Sequence, residues 1–187
     1  MKTHFKALLF ILWVTIPFFS SAQDLKEKIY QKKEIVEFDP DDENQHVPLE
    51  LFAMKSLDST RFYLSVGNLG VGDNVIQIQF DPLFELFLEI GETLSQAEAT
   101  LYKIQDMYNQ EEGTSMQLNG CLAVGFPNKD IEPVTITRKS FVLTKYLEFS
   151  VVRDGYIRAT SISKSDFNSL MLTYKMNRKR TLKEFKD

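Results

Sequence analysis

Cys121 and His46 are the side chains best suited to nucleophilic or acid–base chemistry in this sequence. A cysteine or serine nucleophile needs a base within hydrogen-bond reach, and His46 is the only histidine after residue 22. The sequence does not place Cys121 or a serine beside His46, and it lacks the Gly-x-Ser-x-Gly turn of the α/β-hydrolases. We therefore predict no catalytic residue, and we favour an inert, buried thiol over a reactive one at Cys121.

Carboxylates offer a second chemistry, because a pair of them supplies the acid and the base of glycoside hydrolysis. Four candidates lie close together in the sequence: Glu85, Glu89, Glu92 and Glu98. On a helix, spacings of four and three place several of these side chains on one solvent-facing stripe. The pattern therefore favours a solvated helix face over a carboxylate-dependent hydrolase.

Metal and phosphate sites have little support. After residue 22, one histidine and one cysteine cannot supply the ligands of a zinc site, and the acidic run from Asp39 to Glu43 lacks the glycine and the terminal glutamate of an EF-hand loop. The glycine-rich segment from Gly67 to Asp73 precedes a strand pattern, whereas phosphate-binding loops open a helix, so we interpret it as a flexible hairpin connection. We predict no metal site and no cofactor, and the ligand-binding residues stay unknown.

The stretch from Asp81 to Glu112 is the element that must position these groups. Its apolar residues recur at alternating steps of four and three: Leu83, Phe87, Ile90, Leu94, Ala97, Leu101, Ile104 and Tyr108. This spacing predicts one long helix, with Asp81-Pro82 at its start and Glu112-Gly113 at its end. Gly91 leaves a break or kink open, because glycine disfavours a helix interior and Ser95 with Glu98 forms a second capping box. With a break, Phe84, Leu86, Leu88 and Ile90 alternate as a strand, although Phe87 then falls on the wrong face.

Strand patterns surround this stretch, at residues 48–54, 61–66, 74–80, 116–126, 134–137, 141–153 and 156–162. Asp154-Gly155 is the strongest hairpin signal, because both central positions of a type I′ turn require positive φ. A helix is predicted from Ser163 to Asp166 onwards, with apolar residues Phe167, Leu170, Met171 and Tyr174 at helical spacing. We predict an α+β fold: an antiparallel sheet packed around one long, possibly kinked helix, with a C-terminal helix.

The first 22 residues have the features of a secretory signal peptide. Lys2 and Lys6 precede an apolar run that ends in Ser20, Ser21 and Ala22, and this run is too short for a comfortable membrane span. We predict cleavage after Ala22, an exported soluble protein, and no stable membrane span in the mature chain. Residues 23–45 are expected to form a mobile acidic arm with one edge strand near Ile35, and residues 46–187 a single domain with a basic C-terminal tail.

Composition limits the function. Without Lys2 and Lys6 the mature chain has 20 Lys and Arg residues against 26 Asp and Glu, a net charge of −6, which argues against a nucleic-acid partner. A single cysteine excludes an intramolecular disulfide, and the absence of Asn-x-Ser/Thr sites fits a bacterial periplasm or cell exterior. The sequence favours a noncatalytic binding or interaction module of a bacterial envelope over an enzyme. Its partner is an unknown protein or a small apolar ligand, and the alternative functions are an apolar-ligand carrier with a cavity between sheet and helix, and a hydrolase.

Overall fold

In a computed structural model of the chain, which describes residues 31–38, 49–71 and 79–185, eight antiparallel strands form one sheet and two helices pack against it. The predicted α+β class with an antiparallel sheet is confirmed. The elements in chain order are β1 (Gln31–Phe38), β2 (Leu49–Lys55), β3 (Thr60–Val71), β4 (Gln79–Gly91), α1 (Leu94–Met107), β5 (Ser115–Ala123), β6 (Glu132–Phe141), β7 (Thr144–Arg153), β8 (Tyr156–Ser163) and α2 (Lys164–Glu184).

The sheet closes on itself through β3. Each strand pairs with the next one in the chain, and the last residues of β3 also pair with β8, at Gly70 with Ala159 and at Val71 with Arg158. The first half of β3 pairs with β2 instead, from Thr60 to Ser65. Strands β3 to β8 therefore form a closed ring, and β1 and β2 extend the sheet alongside its first strand.

The main core lies on the face of the sheet that the two helices cover. Alternate residues of most strands point into it, as the two-residue period of a strand requires. Buried side chains of both helices complete this inner cluster, which includes Leu51, Leu64, Leu88, Leu101, Ile104, Ile136, Phe149, Phe167 and Tyr174. Full burial of one such apolar side chain contributes about 1.5–3 kcal/mol, so this cluster is the principal source of stability.

A second, smaller set of buried residues lies on the opposite face of strands β2 to β5. Phe52 stacks on Tyr63, with ring centroids 5.7 Å apart, and meets the ring of Phe87 edge-on at 5.9 Å. Cys121 and Ala123 complete this outer cluster. The sheet is therefore buried on both faces where these four strands run side by side.

The prediction of one long helix from Asp81 is wrong. Residues 79–91 form β4, in which Leu86, Leu88 and Ile90 point into the inner cluster while Phe87 points into the outer one. Because both faces of β4 are buried, apolar residues occupy consecutive positions of the strand. Some of them therefore fall at steps of four and three, as they would on a helix. The helix begins only after Gly91.

Gly91 stands at a close approach between β4 and α1. A Cβ atom at this position would lie 2.7 Å from the Cβ of Gln96 and 2.8 Å from the backbone nitrogen of Ala97. Thr93 caps α1 through a capping box in which its hydroxyl accepts from the backbone N–H of Gln96. The break at Gly91, which the sequence left open, is thus a change from strand to helix.

Other elements differ from their predictions in extent. Residues 31–38 form β1, the edge strand expected near Ile35, and Gly67–Val71 continue β3 where a hairpin connection was expected. The predicted strand 141–153 is divided by a turn at Val142 and Leu143, so that β6 and β7 form a hairpin. The acidic run 39–43 and residues 74–78 of another predicted strand lie outside the described residues.

The last two elements follow the sequence closely. Asp154 and Gly155 have φ values of 55° and 80°, as the predicted type I′ turn requires. The helix α2 begins after its N-cap Ser163 and buries the four predicted residues Phe167, Leu170, Met171 and Tyr174. Neither α1 nor α2, the helices of the described residues, combines the length and the apolar character needed to span a bilayer.

Candidate functional site

Cys121 has no feature of a reactive thiol. Its side chain lies in the outer cluster at 2 % exposure, and burial raises the pKa of the thiol above its usual value. A thiol that is buried and protonated is a poor nucleophile. His46, the predicted base for any such chemistry, lies outside the described residues.

The four candidate carboxylates do not share one helix stripe. Glu85 and Glu89 are on β4, Glu92 lies in the bend after it, and Glu98 is on α1. Glu89 accepts from Arg61 at 3.1 Å, and the same guanidinium lies 3.9 Å from Glu92. Glu85 accepts from the hydroxyl of Ser65 at 3.5 Å. Each of these three carboxylates therefore has a cationic or hydroxyl partner on β3, which indicates a structural role.

Glu98 joins the two helices. Its carboxylate accepts two bonds from the guanidinium of Arg178, at 2.6 and 3.0 Å, and one from the hydroxyl of Tyr174 at 2.7 Å. The bonds from Arg178 hold the pKa of Glu98 below its usual value. Burial, together with the bond to Glu98, raises the pKa of Tyr174, so its phenol stays a neutral donor. This arrangement fixes α1 on α2 and offers no free acid or base.

A cleft of about 480 Å³ opens where β4 and β5 separate. This volume lies within the range of small-ligand pockets. Ile90 and Leu118 supply apolar surface, and the other side chains at the cleft are mostly polar: Glu89, Gln96, Thr100, Gln117, Asn119 and Pro133. The cleft can therefore offer a ligand both hydrogen bonds and apolar contacts.

The backbone of β5 borders this cleft as an open strand edge. β4 pairs with β5 only where Glu85–Leu88 run beside Gly120–Ala123. Between Ser115 and Asn119, β5 pairs with β6 on one side, and no strand of the described ranges pairs with it on the other. An unpaired strand edge is a template for the addition of another strand.

The hydrogen-bonding direction of each β5 residue follows from its register with β6. Thr114 accepts a bond from the backbone N–H of Arg138 at 2.9 Å, and the direction alternates along an antiparallel strand. The even-numbered residues therefore face β6. Ser115 and Gln117 direct two N–H and two C=O groups towards the open side, and Asn119 lies at the point where the pairing with β4 begins.

No group of three or more histidine, cysteine, aspartate or glutamate side chains forms a metal-binding cluster in the described part of the chain. Comparison of the chain with protein-family models, with curated proteins and with solved structures gives no match. The geometry of the β5 edge and of the cleft is therefore the basis for a functional assignment.

The sequence contained only a weak sign of this site. The polar residues Gln117 and Asn119 alternate with Met116 and Leu118, which predicts a strand with one wet face. Nothing in that alternation shows that β4 leaves β5 after Leu88. The open edge depends on the register between two strands that are separated in the chain by α1.

Proposed function

We propose that this protein is an exported, noncatalytic interaction module of a bacterial envelope, which binds an extended segment of a protein partner along β5. The observation that carries the proposal is the unpaired edge from Ser115 to Asn119 beside the cleft. A peptide that adds to a sheet edge gains affinity from main-chain hydrogen bonds and specificity from neighbouring side-chain pockets. Both components are available in this part of the molecule.

The side chains around the edge suit an extended polypeptide. Gln117 and Asn119 are exposed, and each has an amide that can donate to and accept from a peptide backbone or a polar side chain. Thr100 and Gln96 lie on the α1 side of the same cleft. Polar contacts on both sides of the gap favour a strand-like ligand lying along β5.

The other functional hypotheses have less support. An apolar-ligand carrier needs a cavity with a mostly apolar lining, whereas polar and apolar groups share the wall of this cleft about equally. A carboxylate-dependent hydrolase needs two carboxyl groups that converge on one bond, whereas Glu89 and Glu98 are engaged by Arg61 and Arg178.

A proline substitution provides the sharpest test. Peptides that bind the protein are selected from a random display library, and their dissociation constants are measured by fluorescence anisotropy against wild type, Gln117→Pro and Gln117→Ala. Proline removes the outward N–H of residue 117 and blocks strand addition, so we expect at least a tenfold loss of affinity. Alanine keeps the backbone donor, so we expect a much smaller loss for Gln117→Ala.

Hydrogen exchange locates the binding. Bound peptide is expected to slow exchange of the amides of Ser115 and Gln117 more than that of the β6-facing amides, which are already bonded. Equal affinities of the proline and alanine variants, or protection confined to another strand, would refute strand addition at β5.

A further inference from the structure

The tip of the β6–β7 hairpin is apolar and exposed. Phe141, Val142 and Leu143 are consecutive, and their exposures are 73, 84 and 94 %. Polar residues normally occupy such a turn, because loop backbone and side chains face water. Three large apolar side chains at one projecting point therefore need an explanation beyond folding.

The turn itself is strained. Val142 has a φ of 55°, in the left-handed region that a β-branched residue rarely adopts. Leu143 has no positive φ, so the two-residue turn has the φ signs of type II′, which favours glycine at its first central position. Retaining valine at this position costs about 1–3 kcal/mol of strain and keeps an extra apolar side chain at the tip.

The hairpin also projects beyond its neighbours. The pairing of β5 with β6 ends at Thr137, and that of β8 with β7 ends at Tyr146. Beyond Arg138, whose backbone bonds to Gly113 and Thr114, the two strands pair only with each other in the described structure, with Phe141 opposite Thr144 and Ser140 opposite Lys145. The tip is thus carried on a two-stranded ribbon.

Polarity changes in layers along this ribbon. Phe141 is opposite Thr144 directly behind the two turn residues, Ser140 is opposite Lys145 one step further from the tip, and Lys139 follows opposite Tyr146. Lys145 forms no ion pair with any described residue, whereas Lys139 lies 3.7 Å from Glu148. An apolar tip with lysines behind it matches the order of the acyl and phosphate layers of an anionic membrane.

Arg138 adds a further cation at the base of the ribbon. Its side chain is 5 % exposed, and its guanidinium donates to the backbone C=O of Lys139 and to the hydroxyl of Ser140. Its Nε atom has no hydrogen-bond partner, and no carboxylate among the described residues forms an ion pair with it. Because this guanidinium is buried, it does not contact an approaching membrane, and Lys145, which is exposed, is the cation that can.

We propose that the β6–β7 hairpin inserts Phe141, Val142 and Leu143 into the surface of a membrane that contains anionic lipids. The apolar tip enters the acyl boundary, while the exposed Lys145 provides positive charge at the level of the lipid phosphates. This surface is separate from the β5 edge, so it does not depend on the proposed function. This insertion orients the protein with the β6–β7 hairpin towards the membrane.

The test uses protein purified after export, with its N-terminus established by mass spectrometry, and two kinds of vesicle. One contains phosphatidylglycerol with phosphatidylethanolamine, and the other phosphatidylcholine alone. We expect wild-type protein to sediment with the anionic vesicles. The double substitution Phe141→Ser and Leu143→Ser is expected to lower this partition at least tenfold, and Lys145→Gln about fivefold, the factor expected for one lysine near such a surface.

Leu57 offers a matched control. It is a fully exposed leucine in the β2–β3 turn, and Leu57→Ser is expected to leave partition unchanged. In protein without Trp13, Phe141→Trp places a single tryptophan at the tip, and its emission is expected to shift to the blue with anionic vesicles. Leu57→Trp is expected to show no shift.

Three results would overturn the proposal. One is equal sedimentation of wild-type protein with anionic and neutral vesicles, and another is unchanged partition of the double-serine variant. The third is concentration-dependent dimerisation without lipid that the double-serine variant abolishes, because the tip would then contact a second copy of the chain. Circular dichroism of each variant verifies that the fold is retained.

Discussion

The two sides of β5 differ in how completely their hydrogen-bonding groups are used. Towards β6, every residue from Ser115 to Gly120 has a strand partner, whereas the opposite edge is open as far as Asn119. The helices and the hairpin tip also differ in how far they are paired. α1 is joined to α2 through Glu98, whereas Val142 at the hairpin tip is exposed and strained. The paired regions stabilise the fold, while the open regions provide groups for binding.

Proline substitutions on the two edges of β5 are expected to give the largest change in the free energy of unfolding. Leu118→Pro removes an N–H that faces β6, and we expect it to lower the free energy of unfolding by about 3 kcal/mol or more. Gln117→Pro removes an N–H on the open side, and we expect a loss below about 1 kcal/mol. Urea unfolding measures both, and similar losses would mean that residue 117 is also paired within the fold.

The junction of β4 and α1 is the next test. Gly91→Val places side-chain atoms against Gln96 and the backbone of Ala97, so we expect destabilisation by about 2–3 kcal/mol. Ser95→Ala is the control, because Ser95 is exposed in the first turn of α1 and its loss should change stability by less than about 0.5 kcal/mol. A Gly91→Val protein as stable as wild type would contradict the close approach.

At the hairpin tip, by contrast, a substitution is expected to stabilise the protein. Val142→Gly relieves the left-handed strain, although the extra freedom of glycine in the unfolded chain offsets part of the gain. We expect a net stabilisation of about 1 kcal/mol, measured by thermal unfolding. Val142→Ala keeps a Cβ atom at positive φ and should gain less. Destabilisation by the glycine would show that the valine makes favourable contacts in the fold.

Substitution of Glu98 is expected to change the free energy of unfolding least at neutral pH. It is also expected to change how that free energy depends on pH. Because the folded state lowers the pKa of Glu98, its carboxylate contributes stability above the unfolded pKa of about 4.5, and this contribution is lost as the pH falls through the folded pKa. Glu98→Gln should therefore lose less stability than wild type on acidification from pH 5 to pH 3. Parallel acid profiles of the two proteins would count against this coupling.

The sequence predicts an element well where one local signal decides it. Asp154-Gly155 specifies its turn through the φ values it permits, and Phe167 with Tyr174 marks a helix with one buried face. The spacing of residues 83–90 predicts a helix although they belong to a strand, because the two-residue period disappears where both faces of a strand are buried. Phe87, which seemed to contradict a strand, is the residue that reveals the outer cluster.

The candidate sites were harder to predict, because neither is a local property. The hairpin at Val142 contains no glycine, proline, asparagine or aspartate, so the usual turn signals are absent. The open edge of β5 results from the point at which β4 diverges, and only the three-dimensional register shows it. The alternation of polar residues in β5 predicts one solvent-exposed face, but it does not predict that the backbone edge is unpaired.

The ring closure between β3 and β8 has a consequence for the rate at which this protein reaches its native state. The hairpins β6–β7 and β7–β8 pair residues that are close in sequence. Gly70 and Ala159, by contrast, are separated in the sequence by most of the domain. Contacts of such high sequence separation slow folding because the chain loses the entropy of a long loop before they form. Ring closure is accordingly expected to be a late event, and until then the ends of β3 and β8 are two further strand edges exposed to unwanted pairing.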